Sequence, residues 1–184
     1  IKVGDNMRLF IAINFDGTVK KRLQEIINEL EKHSIQGRFV SQEHLHLTLE
    51  FLGEISDERI VTIKNVMDKL DFKPFILKPS KIGYFKRPQG NIYWLGIEDN
   101  EALMSTQETL HKLLIDQGFI LEKRPYKPHI TLGRKVKLKN SFNSNIVDEM
   151  VKAIKIDVNR IELMKSENIN GKLVYSVIYS RIID

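Results

Sequence analysis

Hydrophobic and polar positions follow two rhythms along this chain. Short apolar runs bounded by turn residues predict strands, and longer stretches with apolar residues three and four apart predict helices. Met7–Asn14 is rich in β-formers and stops at Asp16-Gly17, which predicts a buried central strand. Between Thr18 and Lys32 the residues Val19, Leu23, Ile26, Ile27 and Leu30 recur at helical spacing, with Asp16 or Thr18 as N-cap. Arg38–Val40 predicts a short strand and Glu43–Leu52 a longer one that Gly53 breaks. Ser56 is placed to cap a helix running to Leu70, with Ile60, Ile63, Val66 and Met67 inward. Phe75–Phe85 and Asn91–Ile97 flank the turn-forming Arg87-Pro88-Gln89-Gly90, so they read as a long hairpin, with Pro79 marking a bulge or sheet edge. Asn100 caps a further helix to Gln117, with Leu103, Met104, Leu110, Leu113 and Leu114 inward and Gly118 as stop. Arg124–Pro128 is a stiff lead-in to a strand at His129–Leu132, and Asn145–Ala153 reads as a short helix. Lys155–Lys165 and Lys172–Ile182 alternate around Asn170-Gly171, a strong hairpin signal.

Two of these strands carry the same pattern, His46-Leu47-Thr48-Leu49 and His129-Ile130-Thr131-Leu132, 83 positions apart (129 minus 46). With five histidines and six threonines in 184 residues, two such pairs arise by chance in on the order of one chain in a hundred. One copy alone reads as an ordinary strand histidine; the pair reads as chemistry. Successive strand side chains face opposite ways, so each copy turns a leucine or isoleucine toward a core and an imidazole with a hydroxyl toward the other side. The repeat, at close to half the chain length, and the order of elements predict an α+β fold. We expect a bilobal, pseudo-two-fold arrangement, with two antiparallel-rich sheets, helices on their outer faces and a central cleft lined by one motif strand from each. A single domain is expected over residues 7–184. Ile1–Asn6 precede what reads as a natural start at Met7, so they are expected to be upstream or expression-derived residues.

Composition narrows the chemistry. The chain has no cysteine, which rules out disulfides, thiolate metal sites and cysteine nucleophiles. Its 29 Lys and Arg against 24 Asp and Glu leave a net charge of +5, which suits a polyanionic partner without demanding one. No apolar run has the ~18 residues of a membrane span, and no signal-peptide layout is present, so a cytoplasmic protein away from membranes is the expectation, with a monomer as the default.

An in-line displacement at a phosphodiester needs a base to take the proton of water and an acid to protonate the departing oxygen, on opposite sides of phosphorus. Imidazole, with a pKa of about 6.5, can serve as either. Threonine hydroxyls can donate to the non-bridging oxygens as their charge grows. Neither metal nor cofactor is required.

These residues match a family. The chain resembles the two-histidine (2H) phosphoesterases and, within them, the RNA 2′,3′-cyclic phosphodiesterases historically called 2′-5′ RNA ligases. The resemblance rests on Met7-Arg-Leu-Phe-Ile-Ala-Ile13, on Leu45-His46-Leu47-Thr48-Leu49-Glu50-Phe51-Leu52-Gly53-Glu54 and on Pro128-His129-Ile130-Thr131-Leu132-Gly133-Arg134. It implies metal-free hydrolysis of RNA 2′,3′-cyclic phosphate ends, or of cyclic nucleotides, to 2′-phosphates, with 2′-5′ joining in vitro by some members. By that resemblance His46 is the proton donor and His129 the proton acceptor, roles that the residues alone leave interchangeable, and Thr48 and Thr131 complete the site.

Four further residues are candidates for substrate contact. Simple alternation turns Arg134 away from the His129 face, and only a bend near Gly133 returns it as a phosphate ligand. Phe39 stands where many members have tryptophan; it can stack on a base or pack in the core. Tyr126 and Lys127 can touch nucleotide, although two nearby prolines also suit Tyr126 to fixing the loop. Two rival readings use the same residues. His44, His46 and His129 can form a three-histidine metal site, although His44 has no counterpart because Lys127 occupies the matching place. Alternatively, the domain binds RNA through its basic charge without catalysis.

Overall fold

The computed structural model describes residues 6–183. Of the six leading residues, Ile1–Asp5 lie outside the described part, and Asn6 opens the first strand opposite Ser56. In chain order the elements are β1 (Asn6–Asn14), α1 (Gly17–Lys32), β2 (Ser34–Phe39), a 3₁₀ turn (Gln42–His44), β3 (His46–Ser56), α2 (Asp57–Asp68), β4 (Phe75–Leu77) and β5 (Pro79–Phe85). There follow β6 (Asn91–Ile97), α3 (Glu101–Asp116), β7 (His129–Leu138), α4 (Asn145–Lys152), β8 (Ile156–Val158), β9 (Arg160–Ile169) and β10 (Lys172–Ile182). The fold is α+β, as expected. No helix among the described residues is long and apolar enough to cross a membrane.

Two four-stranded sheets carry the molecule, in the orders β10-β9-β1-β3 and β2-β7-β6-β5, and β4 pairs with β8 in a small third sheet. All the pairings are antiparallel. The sheets do not coincide with the halves of the chain. The early strand β2 crosses to the second sheet as its edge beside β7, and the C-terminal hairpin β9-β10 completes the first sheet beside β1. Helices cross over too: α1 lies beside β2 and β7, whereas α2 and α3 lie against β3. Burial explains the exchange. Strand β2 is mostly exposed, which suits an edge, while β9 contributes buried Ile161, Glu162, Leu163 and Met164 beside the central β1. One continuous apolar core takes residues from both large sheets and all four helices, including Leu9, Leu23, Leu47, Ile63, Leu110, Ile130 and Val147.

Most local expectations match in type, and the differences are informative. Asp16 accepts from the Val19 amide at 2.7 Å and Asn100 from the Leu103 amide at 2.9 Å, each a side-chain N-cap. Ser56 precedes α2 without a side-chain cap bond. Gln42–His44 form a 3₁₀ turn rather than strand, so β3 begins at His46. Gly53 does not end β3: at φ +76° it sits at a bulge where Leu52 is the extra residue, and pairing with β1 resumes through Ser56. The segment from Phe75 divides, β4 leaving to pair with β8 while β5 continues as the outer strand of its sheet with a register shift after Pro79. Helix α3 is rotated from its expected face: Met104 is 41% exposed, and Thr106 and Gln107 are buried.

Candidate active site

His46 and His129 are the first residues of β3 and β7, and their surroundings repeat. In each case the ring Nδ1 lies 2.7 Å from the carbonyl oxygen two residues earlier, that of His44 for His46 and that of Lys127 for His129. A carbonyl only accepts, so Nδ1 carries the proton in both rings and Nε2 is left as the basic nitrogen. Thr48 Oγ1 lies 3.1 Å from His46 Nε2 and in this tautomer donates to it. The first sheet turns Leu9, Ile11 and Ile13 into the core, while Phe10 and Ala12 join Met164 and Tyr175 in a separate cluster on its other face. His46 stands on that second face, its ring centroid 5.0 Å from Phe10 and 5.5 Å from Tyr175. The same arrangement recurs at His129, flanked by Phe85 at 5.7 Å and Trp94 at 6.3 Å.

The electrostatics of the two rings are linked. Burial holds the His46 pKa below its ordinary value; the bond to the His44 carbonyl opposes this, and the positive charges of Lys20, His44 and His129 add to the lowering. His129 is therefore close enough for its charge to be felt at His46. Strands β3 and β7, from different sheets, run beside one another.

Arg134 comes to the His129 side through a bulge. In the pairing of β6 with β7, Tyr93 faces Gly133 and Trp94 faces Thr131, leaving Leu132 as the extra residue. Leu132 and Gly133 are both buried in consequence, and alternation resumes with Arg134 exposed on the face of His129 and Thr131. Its positive charge reaches Tyr175, the aromatic neighbour of His46. A matching bulge at Leu49 on β3 places Phe51, five residues after His46, where Arg134 stands five residues after His129. Phe51 is 58% exposed and 6.0 Å from Phe10, which makes its ring available for stacking on a base.

The remaining candidates divide. Phe39 lies over the glycines of the second sheet: a Cβ at Gly133 would come 3.0 Å from its Cδ1, and one at Gly37 would come 2.9 Å from its Cε2. It also packs against the main core. The Tyr126 hydroxyl donates to the Thr48 carbonyl at 2.9 Å, so it braces the first motif. Lys127 is exposed and contributes its carbonyl to His129. The Nδ1 of His44 is engaged with Ser41 Oγ at 2.9 Å and its ring faces Tyr175 at 4.8 Å. Among the described residues no three His, Cys, Asp or Glu side chains gather as a metal site.

Sequence reasoning missed Phe10, Phe51, Phe85, Trp94 and Tyr175. The alternation of β1 holds a signal for Phe10, which falls two residues from Ala12 on the face opposite Leu9 and Ile11. Trp94 lies flat against its neighbouring strand, where a Cβ on Gly83 would come 2.2 Å from its Cη2, so a glycine opposite a tryptophan marks the spot.

The family model for LigT-like phosphoesterases matches twice, over residues 13–93 and 95–175, one motif falling in each match. The chain is 35% identical over 176 residues to an RNA 2′,3′-cyclic phosphodiesterase of Thermotoga maritima, covering 94% of both chains. It is 32% identical over 143 residues to one of Archaeoglobus fulgidus, covering 77% of this chain and 79% of the relative. The crystal structure of E. coli LigT complexed with 3′-AMP superposes with a TM-score of 0.81 at 25% identity, covering 97% of this chain and 99% of that one. A crystal structure from Thermus thermophilus shares the fold with a TM-score of 0.79 at 24% identity, covering 96% of this chain and 98% of that one.

Proposed function

Because the chain belongs to the LigT-like phosphoesterase family, we propose that it hydrolyses RNA 2′,3′-cyclic phosphate ends to 2′-phosphates with two histidines and no metal. The observation that supports this most is the repeated histidine geometry: each Nδ1 is tied to a backbone carbonyl at 2.7 Å, which leaves Nε2 as the basic nitrogen of each ring. His129 takes a proton from water, the oxygen attacks phosphorus, and the bond to the ribose 3′ oxygen breaks as His46 protonates it. Thr48 and Thr131 donate to the non-bridging oxygens, for which Thr48 turns its hydroxyl from His46 Nε2 to the substrate. Arg134 adds a positive charge on the same side. A 5′-hydroxyl in place of water would give a 2′-5′ linkage by the same proton transfers.

Acting as donor requires His46 to hold a proton that burial discourages in the empty site. The negative phosphate supplies the remedy, since an opposite charge within a few ångströms favours the imidazolium. The test is product analysis of a short RNA ending in a 2′,3′-cyclic phosphate, with and without chelator. We expect a 2′-phosphate at an unchanged rate; loss of activity with chelator and rescue by zinc would contradict the reading.

A further inference from the structure

The five residues that lead into the second motif grip both motifs at once. Lys127 holds His129 Nδ1 through its carbonyl, and one residue earlier the Tyr126 hydroxyl donates to the carbonyl of Thr48, in the other motif and the other sheet. Strand β3 is the outer strand of its sheet, so the edge away from β1 carries main-chain groups with no strand partner among the described residues. Tyr126 takes one of them. At the adjoining bulge Gln107 Nε2 reaches the Leu49 carbonyl at 3.5 Å and the Glu50 carboxylate at 3.3 Å, and His111 Nδ1 lies 2.7 Å from the same carboxylate oxygen. Helix α3 and the lead-in segment thereby hold β3 at the turn of chain that aims His46 and Thr48.

The lead-in is suited to transmit position. Pro125 and Pro128 bracket Tyr126, each with a fixed φ and no N–H, so the segment has little freedom to shift. The Tyr126 ring packs against the main core. Burial, with the nearby Glu50 carboxylate, drives the hydroxyl pKa far above its ordinary value, so the group remains a donor at any working pH.

We propose that Tyr126 is a positioning residue: its bond to the Thr48 carbonyl fixes the spacing between the two histidine motifs. The proposal rests on the two-histidine phosphodiesterase reading. Tyr126 contacts neither reacting nitrogen, and its partner is backbone, so its effect falls on geometry rather than on substrate affinity.

Tyr126→Phe keeps the ring and its packing while removing the bond. Turnover of a 2′,3′-cyclic mononucleotide, assayed where circular dichroism shows the variant folded, should fall by on the order of tenfold in kcat with KM within about twofold. Histidine-ring NMR titration of the substrate-free variant should show the His46 midpoint moving up toward the ordinary value as the loosened strand edge admits water. A kcat within about twofold of wild type, or a raised KM with unchanged kcat, overturns the proposal. If wild-type protein fails to turn over the cyclic nucleotide, the phosphodiesterase reading falls, and the titration still decides whether Tyr126 fixes the site: an unmoved His46 midpoint rejects it.

Discussion

At His46 two local effects oppose each other: burial disfavours the imidazolium, and the His44 carbonyl, by accepting from Nδ1, favours it. Burial is the larger, so in the empty enzyme the proton leaves below the ordinary histidine pKa of about 6.5. For a donor this sets the sign of the pH dependence. The profile of kcat/KM reports the free enzyme and should decline on its alkaline side from a low pH, whereas kcat reports the substrate complex, where phosphate restores the proton. The alkaline limb of kcat is therefore predicted at higher pH than that of kcat/KM, and the paired profiles check it. A kcat limb at or below the kcat/KM limb would show that His46 is not the donor. The same pairing of a polar group with aromatic neighbours, Phe10 and Tyr175 for one ring and Phe85 and Trp94 for the other, limits the rotation of each imidazole.

At the scale of elements, β5 and β6 show how a strand pair supports the site. Gly83 faces Trp94, and the indole lies where a Cβ would stand. Gly83→Ala should displace Trp94 from beside His129 and destabilise the fold by about 1–3 kcal/mol, the usual cost of overpacking. Chemical denaturation measures this, and an unchanged midpoint would show that Trp94 relocates freely. Legibility in the sequence follows the range of the forces involved. His46, Thr48, His129 and Thr131 could be placed on strand faces because a period of two is local to each strand. The face of Arg134 could not, because it depends on the extra residue Leu132, which is set by the register of β7 against β6. Gly53 misled for a related reason: a glycine at φ +76° suits a bulge as well as a strand end. The aromatic neighbours of the histidines come from β1, β5, β6 and β10, and only long-range pairing brings them together.

For the whole molecule, the two family matches over residues 13–93 and 95–175 show that the halves of the chain are related, yet the sheets are not those halves. Strand β2, helix α1 and the β9-β10 hairpin cross between them, and a single core joins the result. Exchange of elements binds the halves together, so each motif strand is held by packing from both. This architecture suits a reaction in which neither motif suffices alone. The most direct measurement is turnover of a 2′,3′-cyclic nucleotide by His46→Ala, His129→Ala and the double variant. Each single change should cost on the order of 10² to 10⁴ in kcat, and the double change should cost well below the product of the two, because groups acting on one phosphorus are not additive. Near-wild-type turnover by either single variant, or a double loss equal to the product, would contradict a shared two-histidine site.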